Sequence, residues 1–147
     1  MVLGFLMIPL ILIFSSSFKN YSGKNPIIST AVQQQKMPGE IVFKKYCISC
    51  HQADGGGVPN IAPPLQQTSY VLGEKETLIN IVLNGLKNVD INDETYNNPM
   101  PALGSVLKDK EIADVLTYVR NSFGNKASAV SSAEVKKART QLANKSE

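Results

Sequence analysis

The clearest pattern of apolar and polar positions lies between residues 109 and 125. Apolar side chains recur there with helical spacing, on one face of the predicted helix: Ile112, Val115, Leu116, Val119 and Phe123. Acidic residues occupy the expected first turn, and Gly124 follows the last turn, as is typical of helix ends. This segment is therefore predicted to be an amphipathic helix.

Two further helices are predicted earlier in the chain. Pro38 and Gly39 begin the first, which carries several large apolar side chains and runs to Cys47. The second covers about residues 74–84, where apolar positions recur every four residues. Gly85 follows it, at a position where a helix end favours a left-handed residue.

The remaining segments are predicted to be mostly loops. Residues 52–66 contain three consecutive glycines and three prolines, and residues 87–98 are polar. Ser131 and Glu134 have the spacing of a capping box, which predicts a short helix over residues 133–142. Because no segment shows a sustained two-residue alternation, the sequence predicts an all-α fold.

The N-terminal segment resembles an export signal. Residues 2–14 form a continuous apolar run, and three serines follow it. The run is shorter than the roughly twenty residues that span a bilayer. It also lacks a preceding Lys or Arg, so an uncleaved N-terminal anchor remains open. The predicted organisation is thus a signal peptide or anchor (1–17), a polar linker (18–37), a folded domain (38–125) and a C-terminal tail (126–147).

Charge is distributed unevenly along the chain. Residues 18–125 contain ten Lys or Arg and ten Asp or Glu, so the net charge of +3 arises from the tail. A nucleic-acid-binding protein would concentrate basic residues on its folded surface. Nucleic acid is therefore excluded as a partner.

The strongest chemical signal is Cys47-Ile48-Ser49-Cys50-His51, which has the C-x-x-C-H pattern of covalent haem attachment. Two thiols one helical turn apart can each add to one vinyl group of a porphyrin, and the adjacent histidine can then ligate the iron. We therefore expect one haem c, joined to Cys47 and Cys50 and ligated by His51.

Two other functions of a C-x-x-C pair are disfavoured. A zinc site needs two more Cys or His ligands, and the chain contains only these two cysteines and one histidine. A thioredoxin-like redox pair needs a βαβ setting, which the predicted helices do not provide.

Haem iron also needs a ligand on its other face, and a second histidine does not exist. Met1 and Met7 belong to the leader and Met37 directly precedes the first helix, which leaves Met100. Pro99 and Pro101 flank it and restrict the backbone on both sides. Met100 is therefore the predicted sixth ligand, and a buried core methionine is the alternative.

Over residues 38–125 the chain resembles class I c-type cytochromes. The residues that match the family spacing G-x-x-x-F-x-x-x-C-x-x-C-H are Gly39, Phe43, Cys47, Cys50 and His51. Tyr118 matches the aromatic residue of the family's last helix, and Pro99-Met100-Pro101-Ala102 resembles its methionine-ligand segment. Residues 111–125 and the tail also resemble small bacterial cytochromes linked to periplasmic dehydrogenases and respiratory oxidases.

This resemblance implies a fold and several residue roles. The fold would be the cytochrome c fold, with three to five helices around one covalent haem. Gly39 would let the first and last helices cross closely, with Phe43 packing beside Tyr118. Pro63, in Pro63-Pro64-Leu65, would accept the ring N–H of His51 through its carbonyl, which would fix the histidine tautomer.

The resemblance also implies a function. The protein would be an electron carrier rather than an enzyme and would be exported to the periplasm, where an uncleaved segment 2–14 would hold it at the inner membrane. Its donors and acceptors would be a periplasmic dehydrogenase or reductase, or a terminal oxidase. Two alternatives remain: a haem subunit of a dehydrogenase or oxidase complex, and a haem enzyme or gas sensor with a displaceable sixth ligand.

Overall fold

The computed structural model describes residues 37–145, so the predicted leader and all but the last residue of the predicted linker lie outside the described residues. In this range the helices and strands are α1 (Pro38–Tyr46), α2 (Ile48–His51), α3 (Ser69–Leu72), α4 (Lys75–Asn84), β1 (Val89–Ile91), β2 (Glu94–Tyr96), α5 (Asp109–Asn121) and α6 (Ser132–Lys145). None of these helices is long and apolar enough to cross a membrane.

The predicted all-α class is confirmed in part, since the described residues are mainly helical but include one two-stranded hairpin. The helices at 38–46, 75–84 and 109–121 begin and end close to their predicted bounds. Within residues 37–145 there are six helices, compared with the expected three to five. The higher count arises because α2 and α3 are single turns of four residues. Such short turns contain too few residues to show a helical repeat.

Helices α1 and α5 cross in very close contact at Gly39. A Cβ atom on Gly39 would lie 2.0 Å from the backbone oxygen of Asp114 and 2.7 Å from the Cβ of Tyr118. Only a residue without a side chain can occupy this position without moving one helix. The crossing thereby places the start of α1 against the middle of α5.

Three aromatic rings extend this contact toward the C-terminus of α5. The ring centroid of Phe43 lies 5.5 Å from that of Tyr118 and 5.2 Å from that of Phe123. Tyr118 and Phe123 meet edge to face at 5.7 Å. A Cβ on Gly55 would lie 2.6 Å from the Phe123 ring, so this ring also covers the loop that follows α2.

The prediction that the whole of residues 87–98 is a polar loop was wrong. Strands β1 and β2 form an antiparallel hairpin in which Val89 pairs with Tyr96 and Ile91 pairs with Glu94. Asn92 and Asp93 form its two-residue turn, with φ values of 53° and 62°, the left-handed conformation that this kind of tight turn requires. Three-residue strands are too short to show the alternation that predicts a sheet.

The C-terminal helix α6 packs against α4 and α5 through the buried residues Val135 and Ala138. It begins with the predicted capping box, since Glu134 accepts a hydrogen bond from the backbone N–H of Ser131 at 2.7 Å. Glu134 also forms an ion pair with Lys75 of α4 at 2.9 Å. Near the middle of α6, Arg139 pairs with Asp109 at the start of α5 at 2.9 Å.

Candidate functional site

The two cysteines lie at the junction of α1 and α2. Cys47 directly follows α1, and its backbone oxygen accepts a hydrogen bond from the N–H of His51 at 2.9 Å, which closes one helical turn. Cys47 is partly buried and Cys50 is exposed, and they do not form a disulfide with each other. Burial, followed by the proximity of Cys50, raises the pKa of Cys47 to about 11.

His51 is held in one orientation by the carbonyl of Pro63. The side chain is 8% exposed, and its Nδ1 lies 3.0 Å from the Pro63 oxygen. Because a carbonyl can only accept, Nδ1 carries the proton and Nε2 keeps its lone pair. Burial lowers the pKa of His51, and the bond to Pro63 offsets that shift only in part. The imidazole is thus neutral at physiological pH, as a metal ligand must be.

The position of Pro63 depends on contacts on both sides of it. Before it, Val58 and Ala62 are paired by two backbone hydrogen bonds of 2.8 Å, which close a tight turn. After it, the amide of Asn125 donates to the Leu65 oxygen at 2.8 Å, and its side-chain oxygen accepts from the N–H of Gln67 at 2.7 Å. Asn125 is 4% exposed and therefore links the end of α5 to the proline segment.

Met100 lies in a short loop that is tied to the end of α4. Its backbone forms two hydrogen bonds with Leu86, at 2.9 and 3.2 Å. A Cβ on Gly85 would lie 2.4 Å from the Met100 oxygen, so the close approach depends on this glycine, which also has a positive φ of 78°. The partly buried Met100 side chain packs against the apolar core.

These residues line two adjoining cavities of about 770 and 720 Å³, counting the space at their open mouths. The residues common to both cavities are Cys47, His51, Pro63, Leu86, Met100 and Leu103. The second cavity is also lined by apolar side chains of α4 and α5, including Val82 and Leu116. The site is therefore a large apolar space with one neutral imidazole, one thioether and two thiols at its walls, a set of groups that suits a flat apolar metal cofactor.

The family model for cytochrome c matches residues 37–123, which is more than half of the chain. The chain belongs to the cytochrome c family. Membership implies one covalently bound haem c, and the apolar cavities with their two thiols and neutral imidazole fit that group.

Several characterised cytochromes are similar to this chain. The cytochrome c subunit of the quinone alcohol dehydrogenase of Gluconacetobacter polyoxogenes is 37% identical over 105 residues, which are 70% of this chain and 22% of that subunit. Cytochrome c-552 of Thermus thermophilus is 36% identical over 84 residues, 54% of this chain and 63% of that protein. The FixP subunit of the cbb3-type cytochrome c oxidase of Azorhizobium caulinodans is 32% identical over 104 residues, 69% of this chain and 33% of FixP. The chain thus spans about a fifth of the alcohol dehydrogenase subunit.

Three polar residues that hold loops around the cavities were not predicted from the sequence. Arg120 is 3% exposed and donates to the backbone oxygens of Val71 and Gly73, at 2.6 and 3.0 Å, which fastens α3 to α5. Asn125 holds the proline segment, and Glu94 joins the hairpin to the turn before Pro63. The only local signal for Arg120 is that a polar residue occurs within the apolar pattern of α5. No local signal exists for Asn125 or Glu94.

Proposed function

We propose that this protein is a one-electron carrier with a single haem c, joined to Cys47 and Cys50 and ligated by His51 and Met100. The observation that carries the proposal is that His51 and Met100 line the same two cavities, although 49 positions separate them in the chain. When bound, the haem supplies reversible one-electron chemistry at iron. Each protein side chain has a distinct task in supporting that chemistry.

Pro63 holds the Nδ1 proton of His51, so Nε2 is the nitrogen left to donate to a metal. Met100 supplies a weak thioether donor, which favours the reduced metal and raises its potential. With His51 and Met100 both donating to the iron, no coordination site would be open to a substrate. This arrangement favours electron transfer over catalysis.

We further propose that the protein works outside the cytoplasm, with a periplasmic dehydrogenase or reductase, or a terminal oxidase, as its partner. Similar proteins include subunits of alcohol dehydrogenase, gluconate 2-dehydrogenase and a cbb3-type oxidase, which supports this class of partner. Residues 2–14 direct export and either are removed or anchor the chain. Cell fractionation with mass spectrometry of the mature N-terminus tests export, and holoprotein found only in the cytoplasm would refute it.

The same relatives favour a second candidate, in which the chain is a haem subunit of such a complex. Several of them are subunits of dehydrogenases, and this chain matches only part of their length. Affinity purification of the full chain from its own cells distinguishes the two functions. A stoichiometric dehydrogenase or oxidase subunit in the eluate would favour the complex, and a monohaem protein alone would favour the free carrier.

The replacement Met100→Ala tests the carrier directly. We expect the near-infrared band of methionine-ligated ferric haem to vanish, the reduced protein to bind carbon monoxide, and the potential to fall. Each change follows from loss of the thioether donor. Haem should stay covalently attached, because Cys47, Cys50 and His51 are unchanged.

Met37→Ala is the matched control, because Met37 is 49% exposed at the start of α1. We expect its spectrum and potential to equal those of the wild type. If the wild type binds carbon monoxide readily and Met100→Ala alters neither property, Met100 is a packing residue. A haem enzyme or gas sensor would then be the better interpretation.

A further inference from the structure

Two segments that are distant in sequence lie at the mouth of the first cavity. The hairpin of β1 and β2 lines it through Val89 and Tyr96, and the turn of residues 58–62 lines it through Ile61 and Ala62. Tyr96 is 4% exposed, while Ile61 is 50% exposed. The hairpin thus covers the interior, and the turn forms part of the rim.

Glu94 joins these two segments. One carboxylate oxygen accepts a hydrogen bond from the backbone N–H of Asn60, and the other accepts one from the hydroxyl of Tyr96, both at 2.7 Å. Hydrogen bonds of this length to a charged carboxylate are among the stronger ones in proteins. Burial and the bond to Glu94 raise the pKa of Tyr96 to about 12, so its hydroxyl remains a donor at physiological pH.

Each joined segment leads directly to one side of the site. Asn60 lies within the turn closed by Val58 and Ala62. This turn is directly followed by Pro63, whose carbonyl accepts the hydrogen bond from His51. The hairpin leads to Met100, whose backbone is paired with Leu86. A single carboxylate therefore connects the histidine side and the methionine side across the cavity mouth.

We propose that Glu94 is a positioning residue that fastens the hairpin to the 58–62 turn and thereby holds Met100 in its place over the cavity. This proposal rests on the proposed function, because it assumes that Met100 ligates the haem. The alternative is a local role, in which Glu94 only stabilises the hairpin through Tyr96, two residues away. Of the two bonds that Glu94 accepts, only the bond from Asn60, 34 residues away, connects separate parts of the site.

The test compares three replacements in the purified holoprotein. Glu94→Ala removes both bonds, Glu94→Gln keeps an acceptor for Asn60, and Tyr96→Phe removes only the hydroxyl contact. Asp93→Asn is the matched control, because it removes the same charge from the same hairpin, and asparagine tolerates the positive φ of 62° at that position. Three properties are measured: hydrogen exchange at the backbone amides of residues 58–62 and 89–96, carbon monoxide binding to the reduced protein, and the near-infrared band of the ferric protein.

We expect Glu94→Ala to speed exchange at Asn60 and in the hairpin by about tenfold or more, as loss of charge-assisted hydrogen bonds implies. Carbon monoxide should bind severalfold faster than to the wild type, and the near-infrared band should weaken, while haem stays attached. Glu94→Gln and Tyr96→Phe should give smaller changes. These milder variants also keep the test decisive if Glu94→Ala does not fold.

Wild-type exchange and carbon monoxide binding in Glu94→Ala would overturn the proposal. Faster exchange in the hairpin with unchanged carbon monoxide binding would also overturn it, because Glu94 would then have only the local role. If the wild type itself lacks the near-infrared band, the ligation by Met100 fails instead. Exchange at Asn60 would in that case still show whether Glu94 fastens the two segments together.

Discussion

At the residue scale, burial and one hydrogen bond decide what His51 can do. The bond from Nδ1 to the Pro63 oxygen, 3.0 Å long, selects the tautomer, and burial lowers the pKa so that the ring stays neutral. Hydrogen bonds also define the role of Glu94, since each of its two carboxylate oxygens accepts a bond from a different donor. Single side chains here act by fixing the orientation of neighbours rather than by titrating.

The cysteines are the residues whose replacement tests covalent attachment. We expect Cys47→Ser or Cys50→Ser to leave at most one thioether, and the double variant to release its haem into acidic organic solvent. Ser49→Ala, within the same turn, should keep the haem attached. Detection is by haem staining after denaturing electrophoresis, and haem that stays with the double variant would refute attachment at these residues.

At the element scale, two contacts hold the helices around the cavities. Gly39 permits the close crossing of α1 and α5, and the capping box at Ser131 and Glu134 begins α6 and ties it to α4 through Lys75. The first contact depends on the absence of a side chain. The second depends on a charged group that is partly exposed to solvent.

The crossing predicts a large effect of a very small replacement. In Gly39→Ala the new methyl group would lie 2.0 Å from the Asp114 oxygen, so α1 and α5 must separate. We expect a loss of about 1–3 kcal/mol in the free energy of unfolding, the usual cost of overpacking, measured by denaturant unfolding. In the control Gly56→Ala, the nearest atom is a side-chain oxygen of Asp54 at 3.1 Å, which can move. Equal stabilities of the two variants would mean that the helices do not meet at Gly39.

The start of α6 predicts a pH-dependent stability. Bonds from the Ser131 backbone and from Lys75 lower the pKa of Glu134 from 4.5 to about 2. A lowered pKa in the folded state means that the stabilisation is complete above about pH 5 and is lost as the pH falls toward 2. Glu134→Gln should therefore be less stable than the wild type by about 1 kcal/mol at pH 6, as for loss of a helix cap.

The difference between Glu134→Gln and the wild type should shrink steadily between pH 5 and pH 2, as measured by thermal unfolding. The control is Glu76→Gln, which removes an exposed glutamate from the first turn of α4. This control variant also removes a negative charge from the start of a helix, so it loses a comparable interaction with the helix dipole. It leaves the capping box of Ser131 and Glu134 and the ion pair between Lys75 and Glu134 intact. A constant difference over this pH range would show that the Glu134 charge does not stabilise the fold.

At the scale of the whole molecule, polar contacts between distant segments close the fold around one apolar space. Asn125 binds the segment after Pro63, Arg120 binds α3, and Arg139 binds the loop before α5 through the Leu107 oxygen at 3.1 Å. Each of these side chains lies on or after α5. The C-terminal third of the chain therefore lines the second cavity through apolar residues of α5 and also supports the cavity walls through these polar contacts.

Local patterns in the sequence were enough to predict most of this architecture. The amphipathic repeat predicted α5, the capping box predicted the start of α6, and the C-x-x-C-H spacing predicted the family and its haem. All of these signals arise among residues within a few helical turns of one another. Hydrogen bonding within a helix and covalent attachment at adjacent thiols have the same short range, so the sequence displays them directly.

The tertiary structure alone decided which distant residues meet. Glu94 and Asn60 are 34 positions apart, and Asn125 and Leu65 are 60 apart, so no periodicity connects either pair. The hairpin at 89–96 has strands too short to predict, and it becomes recognisable only when Ile91 and Tyr96 are buried against the cavity side. Such contacts form because packing of the helices brings these segments together, and their partners are therefore determined by the fold as a whole.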